Sequence, residues 1–378
     1  MRGMDTAREA LDTLLPGLTP ALTGVPLQEL ESPGGPGLDA FRKSGGPGLL
    51  VPGAYGGAGA GALQATRVSR ALGALSPSLG VATAMHNFSV ASLVALVASA
   101  EASGLEWMLI EGIARDRLLV ASAFAEGRPG AGILDSAVTA RPTEGGWLVS
   151  GSKKPCSLSQ SMDLITASVA LTGADGTTEL GVALVPTDSP GITRRPFWGA
   201  PFLAGAESDE VVLADVHVPT ELMLRPQVEL GTGLDTLQTI GFVWFELLVT
   251  SVYTGAVARL AESALHAGKG SATDRAALLT QVEAAIALAE NTARVVEAGP
   301  VGNDELALVL TARYAVQELL VSAADRAAEL LGGLAFATSC DVGHLLAVSR
   351  ALAFHPPSRG ATAQALLDHH AGAPLRLA

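Results

Sequence analysis

Between Leu118 and Leu224 the spacing of apolar residues shortens from three or four to two, and beyond Gly231 it lengthens again. The order helices, β domain, helices is uncommon, and it constrains the fold more than any other feature of this chain. Leu118–Glu126 is a continuous apolar run, as a strand would be. Ser136–Lys154 alternates and turns at Glu144-Gly145-Gly146, the pattern of a hairpin. Leu164–Thr172, Glu179–Thr187 and Glu210–Val218 are further β-branched runs, so five or six strands are expected in about 100 residues.

Helical spacing marks Thr6–Leu15, Ala62–Leu75, Ser76 towards Ala100, and Gly104–Arg115. Ser76 suits an N-cap and Pro77 the first turn after it. The Gly/Pro-rich stretch Ser32–Gly61 punctuates this region. After the strands, Gly241–His266, Ala276–Glu297, Asp304–Leu331 and Val342–Ala353 read as long helices on short loops, which suggests an antiparallel bundle. The fold class expected is α+β. It has a helical domain at 1–117, a β-barrel or sheet domain at 118–224 and a four-helix bundle at 225–378.

With 48% hydrophobic and 16% charged residues, the chain is able to bury a large core. The formal charge of −13 and the lack of a Lys/Arg-rich run argue against nucleic acid and against anionic membrane surfaces. Apolar stretches such as Val90–Ala100 are too short to span a bilayer. Cys156 and Cys340, the only cysteines, make neither a disulfide framework nor a zinc site. The first residues have no signal-peptide pattern, so a cytoplasmic location is expected.

Five short strings then occur in one order. They are Leu49-Leu50-Val51-Pro52 with Tyr55-Gly56-Gly57; Phe124-Ala125-Glu126 with Pro129–Gly132; Trp147–Lys153; Val211–Leu222; and Leu331-Gly332-Gly333. Together they resemble the acyl-CoA dehydrogenase family over nearly the whole chain. The resemblance implies FAD between the β domain and the C-terminal bundle. Backbone groups of Phe124 and Ala125 would meet the pyrimidine edge of the flavin. Gly132 and Ile133 would sit near flavin and thioester, and Ser157 would donate to N5 or O4. Pro155 stands where a tryptophan usually shields the ring. Gly332 and Gly333 would approach the pyrophosphate or adenine half, commonly across a subunit interface. A homodimer or homotetramer is implied, with an electron-accepting flavoprotein or oxygen as oxidant. The family's "Arg-x-x-Phe-Gly" string is missing, and His266–Leu279 holds its place.

Thioester dehydrogenation needs a shielded carboxylate to take the α proton. Where the family's C-terminal glutamate would stand there is Arg359, which cannot serve as a base. Glu246 is the only acid between Asp235 and Glu262, and it lies in a very apolar run. Its position resembles that of the base in branched-chain and long-chain members. Burial would raise its pKa, as a proton acceptor requires. The competing reading is a helix glutamate paired with an arginine, for which Arg359 is the candidate. His86, on a helix that would line the acyl pocket, and Arg359 are candidate substrate contacts. His355 would touch substrate or cap a turn, and His369-His370 reads as exposed tail. The expectation is therefore dehydrogenation of an acyl-CoA or carrier-protein-bound acyl group, with Glu246 as base. Flavin monooxygenases of the same superfamily also lack the C-terminal glutamate and form the alternative. A non-catalytic flavin or acyl binder is a third reading.

Overall fold

The computed structural model describes residues 1–98, 105–128, 135–172, 178–225 and 234–377. The helices are α1 (Arg2–Leu14), α2 (Leu18–Leu22), α3 (Leu27–Leu30), α4 (Gly37–Lys43), α5 (Ala62–Leu75), α6 (Pro77–Ala98) and α7 (Leu105–Arg115), then α8 (Thr236–Ala267), α9 (Ala272–Ala298), α10 (Asn303–Thr338), α11 (Cys340–Val348) and α12 (Arg359–His370). The strands are β1 (Val120–Ala123), β2 (Thr139–Thr143), β3 (Gly146–Cys156), β4 (Leu164–Thr172), β5 (Thr178–Pro186), β6 (Ile192–Arg195), β7 (Asp209–Pro219) and β8 (Met223–Leu224). The expected order of helices, sheet and helices is present.

The strands form one sheet in the order β6-β7-β3-β2-β4-β5-β8, with β1 alongside β4. Among the described residues, eight strands replace the expected five or six, because β6 and β8 have four and two residues and leave almost no periodic signal. The β2–β3 hairpin closes with Thr143 opposite Gly146, leaving Glu144 and Gly145 as its turn. Gly145 there has φ +75°, a conformation that glycine adopts without steric cost.

Residues of α5, α6 and α8 share one apolar core with the inner face of the sheet. The α5–α8 contact is backbone to backbone: a Cβ on Gly255 would lie 1.9 Å from the Arg70 carbonyl oxygen, and one on Gly73 would lie 2.0 Å from that of Val252. Ser76 caps α6 as expected, its Oγ accepting the Leu79 N–H at 3.1 Å. Three helices, α6, α8 and α10, are long and apolar enough to cross a membrane by length and composition, contrary to the sequence expectation. Serine and threonine break up their apolar runs, so the length shows only once the helices are assembled. In α8 the most apolar window is 83% buried inside the protein, which accounts for its hydropathy as core. Val342–Ala353 divides into α11 and a 3-10 turn at Ala351–Phe354, and α12 follows, a helix the spacing did not indicate, which includes the His369-His370 expected as tail.

Candidate active site

The site region lies where the ends of β1 and β3 approach α6, α8 and the segment after α11. Lys154 N–H donates to the Ala125 carbonyl at 2.9 Å, so the chain leaving β1 runs beside the end of β3. Phe124 is 39% exposed there, unusual for a large apolar ring beside a core strand. Its ring lies 6.3 Å from Phe88 of α6, which lies 5.4 Å from Phe245 of α8, which lies 5.9 Å from His355. These rings form a continuous apolar row from the sheet to the C-terminal segment.

Ser157 is buried at the end of β3, its Oγ 2.9 Å from that of Ser208. The pair uses one of its two hydroxyl protons, leaving the other for a ligand. Pro155, preceded by a cis peptide bond, is exposed where the β3–β7 register shifts. Gly132 and Ile133 lie outside the described residues.

Below the site, Lys153 is fully buried and donates to Glu126 Oε1 (2.7 Å), Ser168 Oγ (2.8 Å) and Ser136 Oγ (3.2 Å). Glu126 also accepts the Ala137 N–H at 2.9 Å and pairs with Arg128 at 2.8 Å. Burial works against its charge, but Lys153 and these donors outweigh burial and hold its carboxyl down at about 2. The network binds Glu126 and Arg128 to Ser136 and Ala137, on either side of the segment between them.

Glu246 does not face the site. It is fully buried, and its Oε1 accepts from Arg313 Nη1 of α10 at 2.9 Å, while Oε2 has no partner. The same guanidinium donates to the carbonyls of Pro357 (3.1 Å), Leu352 (2.9 Å) and His355 (2.5 Å). Burial pushes Glu246 up to about 8 even with Arg313 beside it. The arginine partner is thus Arg313, not Arg359. Arg313 carried the same signal as Glu246, being the only charge between Glu305 and Glu318 in an apolar helix.

His86 is sealed away from any substrate. Val120 N–H donates to its Nδ1 at 2.9 Å, so its Nε2–H donates to the Pro47 carbonyl at 3.0 Å. Burial holds it down at about 4, a neutral rivet joining α6, β1 and the turn before Leu49. Arg359 instead lies at the start of α12, bonded to Glu318 Oε1 (2.5 Å) and the Tyr314 carbonyl (2.7 Å). Gly332 breaks α10 with φ +83°, and neither it nor Gly333 is crowded by the chain's own atoms. His369, expected as tail, closes α12 and pairs with Asp304 at 3.2 Å.

The acyl-CoA dehydrogenase N-terminal domain family matches residues 27–103. Among solved structures, that of KijD3 in complex with FMN and dTDP-3-amino-2,3,6-trideoxy-4-keto-3-methyl-D-glucose superposes with a TM-score of 0.85. It covers 97% of this chain and 93% of that one, at 21% identity. The fold is thus that of acyl-CoA dehydrogenase-type proteins. Isobutylamine N-hydroxylase of Streptomyces viridifaciens is 49% identical over 378 residues, all of both chains. Dibenzothiophene monooxygenase of Rhodococcus qingshengii is 29% identical over 235 residues, 61% of this chain and 54% of that one. The chain belongs to the acyl-CoA dehydrogenase superfamily of flavin-dependent oxidoreductases. Most of its relatives there are monooxygenases, and the one that aligns over the whole of both chains is an N-hydroxylase, which overturns the expectation of acyl thioester dehydrogenation, and with it the proton-acceptor role of Glu246.

Proposed function

We propose that this protein is a flavin-dependent monooxygenase that hydroxylates the nitrogen of a small aliphatic amine. The carrying observation is 49% identity over the whole chain to an isobutylamine N-hydroxylase. The overall change is R–NH2 + O2 + reduced flavin → R–NHOH + H2O + oxidised flavin, the reduced flavin being replenished by a separate reductase. Bound flavin supplies the two electrons that O2 needs to transfer one oxygen atom and leave the other as water.

The chain's own residues bind, orient and exclude water. Phe124, Phe88 and Phe245 offer an apolar floor, which keeps water out and disfavours an ammonium ion. A neutral amine with its lone pair free is the form that accepts oxygen. Glu246, the carboxylate on this stretch of α8, is turned away into its pair with Arg313 and does not hold a substrate cation. Ser157 and Ser208 offer a hydroxyl to the flavin edge. The cofactor in this reading is a flavin, FAD or FMN. The missing "Arg-x-x-Phe-Gly" string supports weak dependence on the adenine half. Exposed Leu334 and Phe336, just beyond the Gly332 break, support association between copies.

The test is turnover under 18O2 with FMN or FAD, a separate flavin reductase and a panel of C3–C6 primary amines, with thioethers and acyl-CoAs as controls. The expected product is an 18O-labelled hydroxylamine. Sulfoxide in place of hydroxylamine would move the reading to S-oxygenation, which the dibenzothiophene relatives favour. Oxygen consumption with no oxygenated product from any compound would overturn the proposal.

A further inference from the structure

Tyr253 of α8 is fully buried, and its hydroxyl lies 2.8 Å from His355 Nε2. A buried hydroxyl proton without an acceptor costs roughly 1–3 kcal/mol, so this one has strong reason to be directed at the ring nitrogen. Burial, then the charge of Glu31, holds the phenol well above its ordinary range, so the proton stays on Tyr253. Nε2 is then the acceptor, and a neutral imidazole must carry its own proton on Nδ1. Nδ1 has no partner among the described residues, and it is not among the sealed unpartnered atoms. The backbone that carries His355 is fixed independently. Arg313 donates to the carbonyl of His355 itself and to those of Leu352 and Pro357 on either side. The ring also packs against Phe245 at 5.9 Å and Tyr253 at 5.5 Å between centroids.

We propose that Tyr253 and Arg313 are positioning residues that hold His355 as a fixed hydrogen-bond donor, with Nδ1–H open to a bound molecule at the end of the aromatic row. Its partner is a hydrogen-bond acceptor, an oxygen or an unprotonated nitrogen of what binds there. Nothing in this assignment depends on the reaction; only its use in turnover rests on the monooxygenase reading. The charged and titratable groups facing His355 are Arg313, with Glu246 behind it, and Tyr253. Burial, reinforced by the Arg313 charge, holds His355 down at about 3, so it stays a donor and not a cation throughout the neutral range.

The test is long-range 1H–15N correlation spectroscopy on full-length protein carrying 15N-imidazole histidine, without substrate, from pH 5 to 8. The chain has 7 histidines, and the resonance lost in His355→Gln assigns the one in question. The expected result is a protonated Nδ1 and an unprotonated Nε2 that do not titrate in this range. A proton on Nε2, or titration near the ordinary histidine pKa of about 6.5, overturns the proposal. Tyr253→Phe, which retains the ring, is expected to mix the tautomers and bring titration into range. An unchanged tautomer in a folded Tyr253→Phe protein also overturns it. Should that variant not fold, the wild-type spectrum decides alone. With an amine substrate, Tyr253→Phe is expected to add an acidic limb to the kcat profile, which a purely structural loss would not do. Failure of every amine to react would sink the proposed function and leave the spectrum, and this assignment, standing.

Discussion

Replacing Glu246 by glutamine tests the nature of the buried pair more sharply than any activity measurement. The side chain keeps an oxygen for Arg313 Nη1, now at 2.9 Å, and loses only its ability to titrate. In the folded protein burial raises the carboxyl from 4.5 to about 8. The native state therefore binds a proton that the unfolded chain has released wherever the pH lies between those values. By linkage, Glu246 costs increasing stability as pH rises through this window, and its full advantage is present only below 4.5. One proton is worth about 1.4 kcal/mol per pH unit, so the window spans on the order of 5 kcal/mol. The glutamine protein lacks this slope. Urea midpoints of the two proteins, measured side by side at pH 5, 6, 7 and 8, cancel every other titrating group. Glu246→Gln should gain on the wild type by several kcal/mol between pH 5 and pH 8. A difference that stays constant within about 0.5 kcal/mol, the scatter expected of independent sites, would show that Glu246 is ionised throughout. Arg313 would then outweigh burial, and the reasoning would fail.

Three further outcomes are expected. His86 is held at about 4, below its unfolded value of 6.5, so its contribution is intact above 6.5 and lost as pH falls towards 4. Urea midpoints of His86→Gln should lack that acidic decline, which in the wild type is worth about 3 kcal/mol. Gly255→Ala places a Cβ 1.9 Å from the Arg70 carbonyl oxygen and should cost more than about 3 kcal/mol, read as loss of soluble folded protein or a large fall in Tm. Lys153→Met leaves Glu126 with Arg128 and backbone donors but without its buried cation. It should cost about 3 kcal/mol and weaken flavin binding, measured by fluorescence quenching on titration with FMN.

The architecture was legible because periodicity reports which face is buried. α5 begins and ends at Ala62 and Leu75, as the helical spacing indicates, and β4 matches the run Leu164–Thr172 residue for residue. Two-residue β8 and the twelve-residue α12 were not legible, since neither builds a long apolar stripe of its own. In the site, a lone acid in an apolar helix correctly announced burial at Glu246. It did not announce the direction of the side chain, which depends on where α10 brings Arg313 from 67 residues away. His86 shows the same limit. Its environment is made by Pro47 and Val120, 39 and 34 residues distant, and these satisfy both ring nitrogens before any substrate could. Phe88, Phe245 and His355 come from separate parts of the chain, and only their packing reveals them as one row.

The Glu246–Arg313 pair also orders events during synthesis. When α8 leaves the ribosome, its packing partners α5 and α6 already exist, but the cation for Glu246 is still 67 residues away. The carbonyls that Arg313 will bind follow 39 to 44 residues after that. Until they arrive, a helix apolar enough to pass for a membrane span holds an unpaired acid. The nascent chain thus holds Glu246 without its settled environment until synthesis has passed Arg313 and reached Pro357.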